Sequence, residues 1–197
     1  MTRFRTSTEL LQFAEKLVRT RVESLERDGA YCLKEEPYAP FPALLYCFAT
    51  IDLLGALAGG NAHRFSPTNQ QAAHYMQQFM HYSVEQVRLL QTIFRHKLVH
   101  LASPKAVIAD NGRMISWAYD HDDSQRHLKL CKLPQPRSIA IGSPSWTVDF
   151  DHEFEISIVH LVRDVRGFRA WAKRVSGNAS GQHKSSGAVQ ESGGRYL

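Results

Sequence analysis

The chain has 197 residues, 43% of them hydrophobic, 22% charged and 10% aromatic, a composition that excludes a disordered or fibrous protein and fits one globular domain. Lys and Arg number 24 against 19 Asp and Glu, and the formal net charge of +5 is compatible with an anionic partner without requiring one. The three cysteines, Cys32, Cys47 and Cys131, form no CxxC pair, so neither a disulfide framework nor a zinc cluster is indicated and a cytoplasmic, reducing location is expected.

Met1 to Arg5 run straight into polar Thr6, Ser7, Thr8 and Glu9 without the apolar region of a signal peptide, so no export is expected. Thr6 and Glu9 have the spacing of a capping box. Leu10, Leu11, Ala14, Leu17, Val18, Val22 and Leu25 then recur at helical spacing, and Asp28 and Gly29 are expected to stop this first helix. Pro37, Pro40 and Pro42 form a stiff connector, with Pro42 at the opening position of a second helix that Gly59 and Gly60 terminate. The stretch from Phe41 to Gly60 has the length of a membrane span, but Asp52 at its centre makes a buried core helix the better reading, and no membrane is expected as a partner.

Thr68 to Tyr82 reads as a third helix with Ala72, Tyr75, Met76 and Phe79 inward. Ser83 and Gln86 form a second capping-box signature for a fourth helix, which starts near Val84 and ends near Ser103, before Pro104. From about residue 106 to 150 the period changes. Val107, Ile108, the turn pair Asn111 and Gly112, and Ile115, Trp117 and Tyr119 predict a β-hairpin. Leu128, Leu130, Trp146, Val148 and Phe150 predict further short strands, with Pro134, Pro136, Gly142 and Pro144 marking loops between them. The run Asp120, His121, Asp122, Asp123 reads as a solvated loop. Asp151 is expected to cap a last helix in which Phe154, Ile158, Leu161, Val165 and Phe168 share a face out to about Arg174. Residues 176–197, with five glycines and few apolar side chains, are expected to be a disordered Gly/Ser-rich tail to a domain spanning 1–175.

The fourth helix carries the candidate chemistry. Val87, Leu90, Phe94, Leu98 and Leu101 form its core stripe. Leu89, Ile93, His96 and His100 form a second stripe, which calls for a second neighbour and predicts a two-fold homodimer through this helix. Arg95 lies roughly 140° around the helix from His100, on a flank that its guanidinium can bridge, so one anion can meet both side chains. His96 and His100 also stand at i, i+4 as zinc ligands can, but no Glu lies between them, and neither a metal site nor a cofactor is expected.

Arg95, then polar His96, then His100 resembles the R-x4-H motif of the HEPN superfamily of nucleotide- and RNA-handling domains. The resemblance implies a mainly α fold, a HEPN-like antiparallel helical bundle with a small β-hairpin or sheet inserted before the last helix. It implies a metal-independent endoribonuclease or RNA-binding domain, often a toxin or defence protein, acting as a homodimer, with an antitoxin or regulatory protein as a further partner. In that chemistry a histidine, His100, takes the proton of the ribose 2′-OH, since histidine has an unperturbed pKa of ~6.5, while Arg95 holds the phosphorane charge; His96, in the slot the family usually gives to a polar residue, is the third candidate catalytic residue.

Other readings of the same residues stand beside this one. Asp52 in an apolar helix calls for a cation or donor, and Arg95 is a candidate for that structural task. Arg163, Arg166, Arg169, Lys173 and Arg174 on the last helix fit either a phosphate-tracking face or an exposed amphipathic one. The alternative function is a non-catalytic dimerisation or scaffold module, with the His96 and His100 face buried in a protein interface.

Overall fold

Amphipathic spacing builds the helical half of the molecule, and tertiary contacts set its boundaries. The computed structural model describes residues 7–34, 39–59, 69–95, 105–120, 126–141 and 146–165. Helix α1 (Ser7–Leu33) buries Val18, Val22 and Leu25 at i, i+4 and i+7. It runs through Asp28 and Gly29 instead of stopping there, because this last turn packs against Val162 near the end of the chain's described part. A lone helical glycine costs only about 1 kcal/mol, which a tertiary contact outweighs.

Helix α2 (Pro40–Ala58) opens on Pro40, two residues before the expected Pro42, and ends at Gly59 as expected. Among the described residues it is the one helix long and apolar enough to cross a membrane. In the fold, however, it packs on α1, on α3 (Asn69–Phe79) and on the last helix. The approach to α3 is close: a Cβ added at Gly55 would lie 2.7 Å from the Gln71 carbonyl oxygen and 2.9 Å from its carbon. Gly55→Ala is therefore expected to destabilise the chain by about 1–3 kcal/mol in urea unfolding, despite alanine's better helix propensity, because backbone must move to admit the methyl. Greater stability in that variant would mean that α2 and α3 do not approach so closely.

Ala72, Tyr75 and Met76 of α3 are buried as expected. Helix α4 (Val84–Leu90) begins with the capping box in full: Gln86 N–H donates to Ser83 Oγ at 3.2 Å, and Ser83 N–H donates to Gln86 Oε1 at 2.8 Å. It passes into a π-helical turn, Gln91–Arg95. The expected end near Ser103 lies outside the described residues.

The second half of the chain corrects the expected fold. It is a four-stranded mixed sheet, and the protein is a mixed α/β domain, not a mainly α HEPN-like antiparallel bundle carrying a small insertion. Strands β1 (Ile108–Asp110) and β2 (Arg113–Asp120) make the expected hairpin. Asn111 and Gly112 both have positive φ, 49° and 75°, as a two-residue type I′ turn requires. Strands β3 (Lys129–Ile141) and β4 (Trp146–Ser157) are 13 and 12 residues long. The order is β1-β2-β4-β3, with β4 parallel to β2 and antiparallel to β3. Ile115, Phe154 and Ile156 on one face are fully buried in the same cluster as Leu25, Leu44, Phe48 and Leu90. The sheet is thus one of two layers around a single core.

Two local readings change with it. Pro134 and Pro136 lie inside β3 and not in a loop, which is tolerable because β3 is an edge strand and its register slips there: Lys132 pairs with His152, and the next pair is Arg137 with Phe150. The slip brings Ile139 opposite Val148 and Ile141 opposite Trp146. Asp151 does not cap the last helix. It sits in β4, where its Oδ1 accepts from Met114 N–H at 3.0 Å. Phe154 belongs to the strand as well, and helix α5 (Ile158–Val165) starts after Ser157, whose hydroxyl accepts from His160 N–H at 3.2 Å. Residues 176–197, expected to be a disordered tail, lie outside the described residues.

Candidate functional site

The Ser83 capping box fixes where α4 begins, and the π-helical turn at its end aims Arg95 at α2 and α3. Arg95 is buried, its side chain only 9% exposed. Its Nε donates to Asp52 Oδ1 at 2.9 Å and its Nη2 to Asp52 Oδ2 at 3.0 Å, a two-pronged ion pair. Nη1 donates to Asn69 Oδ1 at the start of α3, and the Asn69 carbonyl accepts from Gln91 Nε2 at 2.8 Å. The guanidinium therefore joins three helical elements. It meets the demand that Asp52 makes from within an apolar helix, since a buried carboxylate needs a cation held in good geometry.

Of the three motif residues only Arg95 is described; His96 and His100 lie outside the described residues, as do Leu98 and Leu101. The described chain resumes at Lys105, whose N–H donates to the Ile93 carbonyl at 2.9 Å. The segment that carries His96 and His100 thus leaves from Arg95, and the described chain resumes against Ile93, two residues before it.

The core stripe Val87, Leu90 and Phe94 is buried as expected. So is the first half of the second stripe: Leu89 and Ile93 are each 1% exposed and belong to the chain's own core. The reason is that this helix lies between two layers. Phe94 stacks on Phe48 of α2 at 6.3 Å and meets Trp117 of β2 edge-on at 5.3 Å. Intramolecular neighbours supply what the second stripe seemed to ask of a second copy of the chain.

Two polar clusters escaped the sequence reading. Asp110, just before the hairpin turn, accepts from Arg88 of α4 at 2.9 Å and from Arg113 at 2.7 Å, and Arg113 also donates to Glu85 at 2.8 Å. The hydrogen bond from Arg88, followed by that from Arg113, holds the Asp110 carboxyl below the usual carboxylate range. The second cluster joins Tyr82, His127 and Asp164. Tyr82 Oη donates to Asp164 Oδ2 at 2.7 Å and lies 3.2 Å from His127 Nε2. Burial, then the Asp164 carboxylate, pushes the Tyr82 phenol well above its ordinary value. For Asp164 burial pulls upward, but hydrogen bonds from His127 and Tyr82 outweigh it and hold the carboxyl low. Partners 45 and 82 residues apart leave no spacing signal by which a sequence could announce them.

Arg163 of α5 is on the surface, while Arg166, Arg169, Lys173 and Arg174 lie outside the described residues, as do His121, Asp122 and Asp123. Among the described residues no group of three His, Cys, Asp or Glu side chains is placed to hold a metal ion. No protein-family model, curated protein or solved structure matches the chain. Fold and site together define a mixed α/β domain in which a buried Arg–Asp pair stands at the start of a sequence segment bearing two histidines.

Proposed function

We propose that the chain is an RNA-binding domain in which the segment from Arg95 to His100 contacts RNA, and in which Arg95 anchors that segment instead of holding phosphorane charge. The observation that carries this reading is the engagement of Arg95 by Asp52 and Asn69. A transition-state cation must present free donors where charge develops, and here three of the guanidinium N–H groups are turned into the fold. The motif resemblance and the net charge of +5 support an RNA partner in a reducing cytoplasm.

A second reading, metal-independent cleavage by a toxin or defence ribonuclease with an antitoxin as its partner, is favoured by one observation. The backbone N–H of Lys105 bonds to the Ile93 carbonyl, so a second cationic residue returns to the chain next to the turn that carries Arg95. One experiment separates the two. Wild-type and His100→Ala protein are incubated with single-stranded RNA in EDTA, and cleavage and fluorescence anisotropy are read side by side. The expected result is RNA binding that weakens roughly three- to tenfold in His100→Ala, one hydrogen bond's worth, with intact RNA throughout. Cleavage by wild type alone, leaving a 2′,3′-cyclic phosphate, selects the ribonuclease reading. No binding by either protein at low salt defeats both. A homodimer remains the proposed assembly, through a face that does not use Leu89 or Ile93; Ile93→Asp is expected to unfold the chain instead of releasing folded monomers in light scattering.

A further inference from the structure

The Tyr82, His127 and Asp164 cluster has no part in the proposed RNA contact, yet it ties three segments of the fold together. His127 sits in the short turn before β3, with its side chain 9% exposed. The turn is itself held in place: Leu128 has a left-handed φ of 55°, its N–H donates to the Glu155 carbonyl of β4 at 2.8 Å, and its carbonyl accepts from Gln86 Nε2 of α4 at 3.2 Å. Such backbone persists only where its surroundings enforce it.

Both ring nitrogens of His127 are occupied. Nδ1 accepts from the backbone N–H of Ser157, where β4 becomes α5, at 3.0 Å. That nitrogen must carry its lone pair, so the neutral ring holds its proton on Nε2. Nε2 faces Tyr82 Oη at 3.2 Å and Asp164 Oδ2 at 3.5 Å. The Tyr82 hydroxyl proton is committed to Asp164, which leaves a Tyr82 lone pair to accept from Nε2–H. The hydrogen bonds therefore run in one direction, from Ser157 through His127 and Tyr82 to Asp164.

We propose that His127 is a proton-operated latch on the junction of β4 and α5. Neutral, it holds the Ser157 N–H; with a second proton on Nδ1 it releases that N–H and is held by Asp164 instead. The second proton would point at a backbone donor 3.0 Å away, and one nitrogen cannot accept and donate at once. The charged and titratable groups around the ring, among the described residues, come from each packed element. Asp164 on α5 favours the imidazolium. His160 on α5, its ring 5.3 Å away edge-on, opposes it when charged. Arg126 in the turn lies 3.7 Å from Glu155 of β4, and Tyr75 of α3 and Cys47 of α2 interact electrostatically with Tyr82. Protonation thus gives up the bond to the Ser157 N–H on one side of the ring and strengthens the attraction to Asp164 on the other.

The test is nitrogen-15 NMR of the full chain from pH 8 to pH 5, read together with the protection factor of the Ser157 amide after correction for its intrinsic exchange rate. The expected result is an Nε2–H tautomer at pH 8 and a loss of Ser157 protection of about tenfold that tracks protonation of the His127 ring. His127→Gln keeps an acceptor and a donor but does not titrate, and is expected to leave Ser157 protection flat with pH. Should that variant fail to fold, Asp164→Asn is expected to move the Ser157 transition to lower pH, because the charged ring loses its carboxylate. An Nδ1–H tautomer at pH 8, Ser157 protection unchanged while the ring titrates, or an unmoved transition in Asp164→Asn overturns the proposal.

Discussion

Replacing Arg95 by alanine is expected to destabilise the chain by about 3–5 kcal/mol, the cost of leaving one member of a buried ion pair without its partner. Asp52 would remain in α2, its side chain 17% exposed, beside the fully buried Ile51 and Leu54, with neither prong of its cation. Asn69 would lose its donor as well, loosening the start of α3. In a domain of this size such a loss lowers Tm by on the order of 10 °C. Arg95→Lys is expected to recover only part of it, since an ammonium is a single point charge and cannot make both bonds to the carboxylate while reaching Asn69. Removing both charges in Asp52→Ala/Arg95→Ala is expected to cost less than the sum of the two single variants, because no uncompensated charge is left inside. Urea unfolding of the four proteins measures this. A change below about 0.5 kcal/mol in Arg95→Ala would mean that water screens the pair and that Arg95 is free to serve a phosphate. This stability measurement must come before any activity assay of an Arg95 variant, since a loss of RNA binding there would otherwise be confounded with a loss of fold.

Phe94→Ala is the second large effect, expected at about 3–5 kcal/mol. The ring is fully buried and links the two layers, lying between Phe48 of α2 and Trp117 of β2. Trp117 in turn stacks on Tyr119 at 5.9 Å and meets Phe41 at 6.0 Å, so the cavity would open between an aromatic wall on the sheet and the central helix. Neither layer can close the gap without moving a whole element, which puts the cost toward the upper end of the range. Chemical denaturation, with near-ultraviolet circular dichroism to report the aromatic packing, tests it; a loss under 1 kcal/mol would show that the layers repack freely.

The elements legible in advance are those whose cause is local. The Ser83 and Gln86 pair closes its own two hydrogen bonds three residues apart, and Asn111 and Gly112 supply the two positive φ angles of a hairpin turn, so both could be read from neighbouring letters. The interior position of α2 was legible from its composition, and the demand of Asp52 for a cation followed from the cost of burying a carboxylate. The choice of Arg95 as that cation was one of two readings the sequence left open. Three-dimensional packing decided between them, because the two residues are 43 positions apart and meet only when the π-helical turn after α4 comes against α2.

The sheet is hidden in the sequence for a related reason. Phe154, Ile158, Leu161 and Val165 have helical spacing, while Phe150, His152, Phe154 and Ile156 alternate as a strand does, and both patterns run through the same letters. Local preference could not separate them. The ladder to β2 did, by burying Phe154 and Ile156 on the core face and starting the helix only at Ile158. A parallel neighbour such as β2 for β4 leaves no local turn to be read, and Pro134 and Pro136, which argue against a strand, are tolerated only because β3 ended up at an edge. The sequence by itself determined the start of α4, the hairpin turn and most of the apolar surfaces to be buried, since these rest on dihedral preference, near-neighbour hydrogen bonds and periodicity. Only the tertiary structure decided which surfaces meet, and with that whether Arg95 faces Asp52 or a ligand and where His127 finds its partners, because contacts between distant residues depend on the joint packing of all the elements.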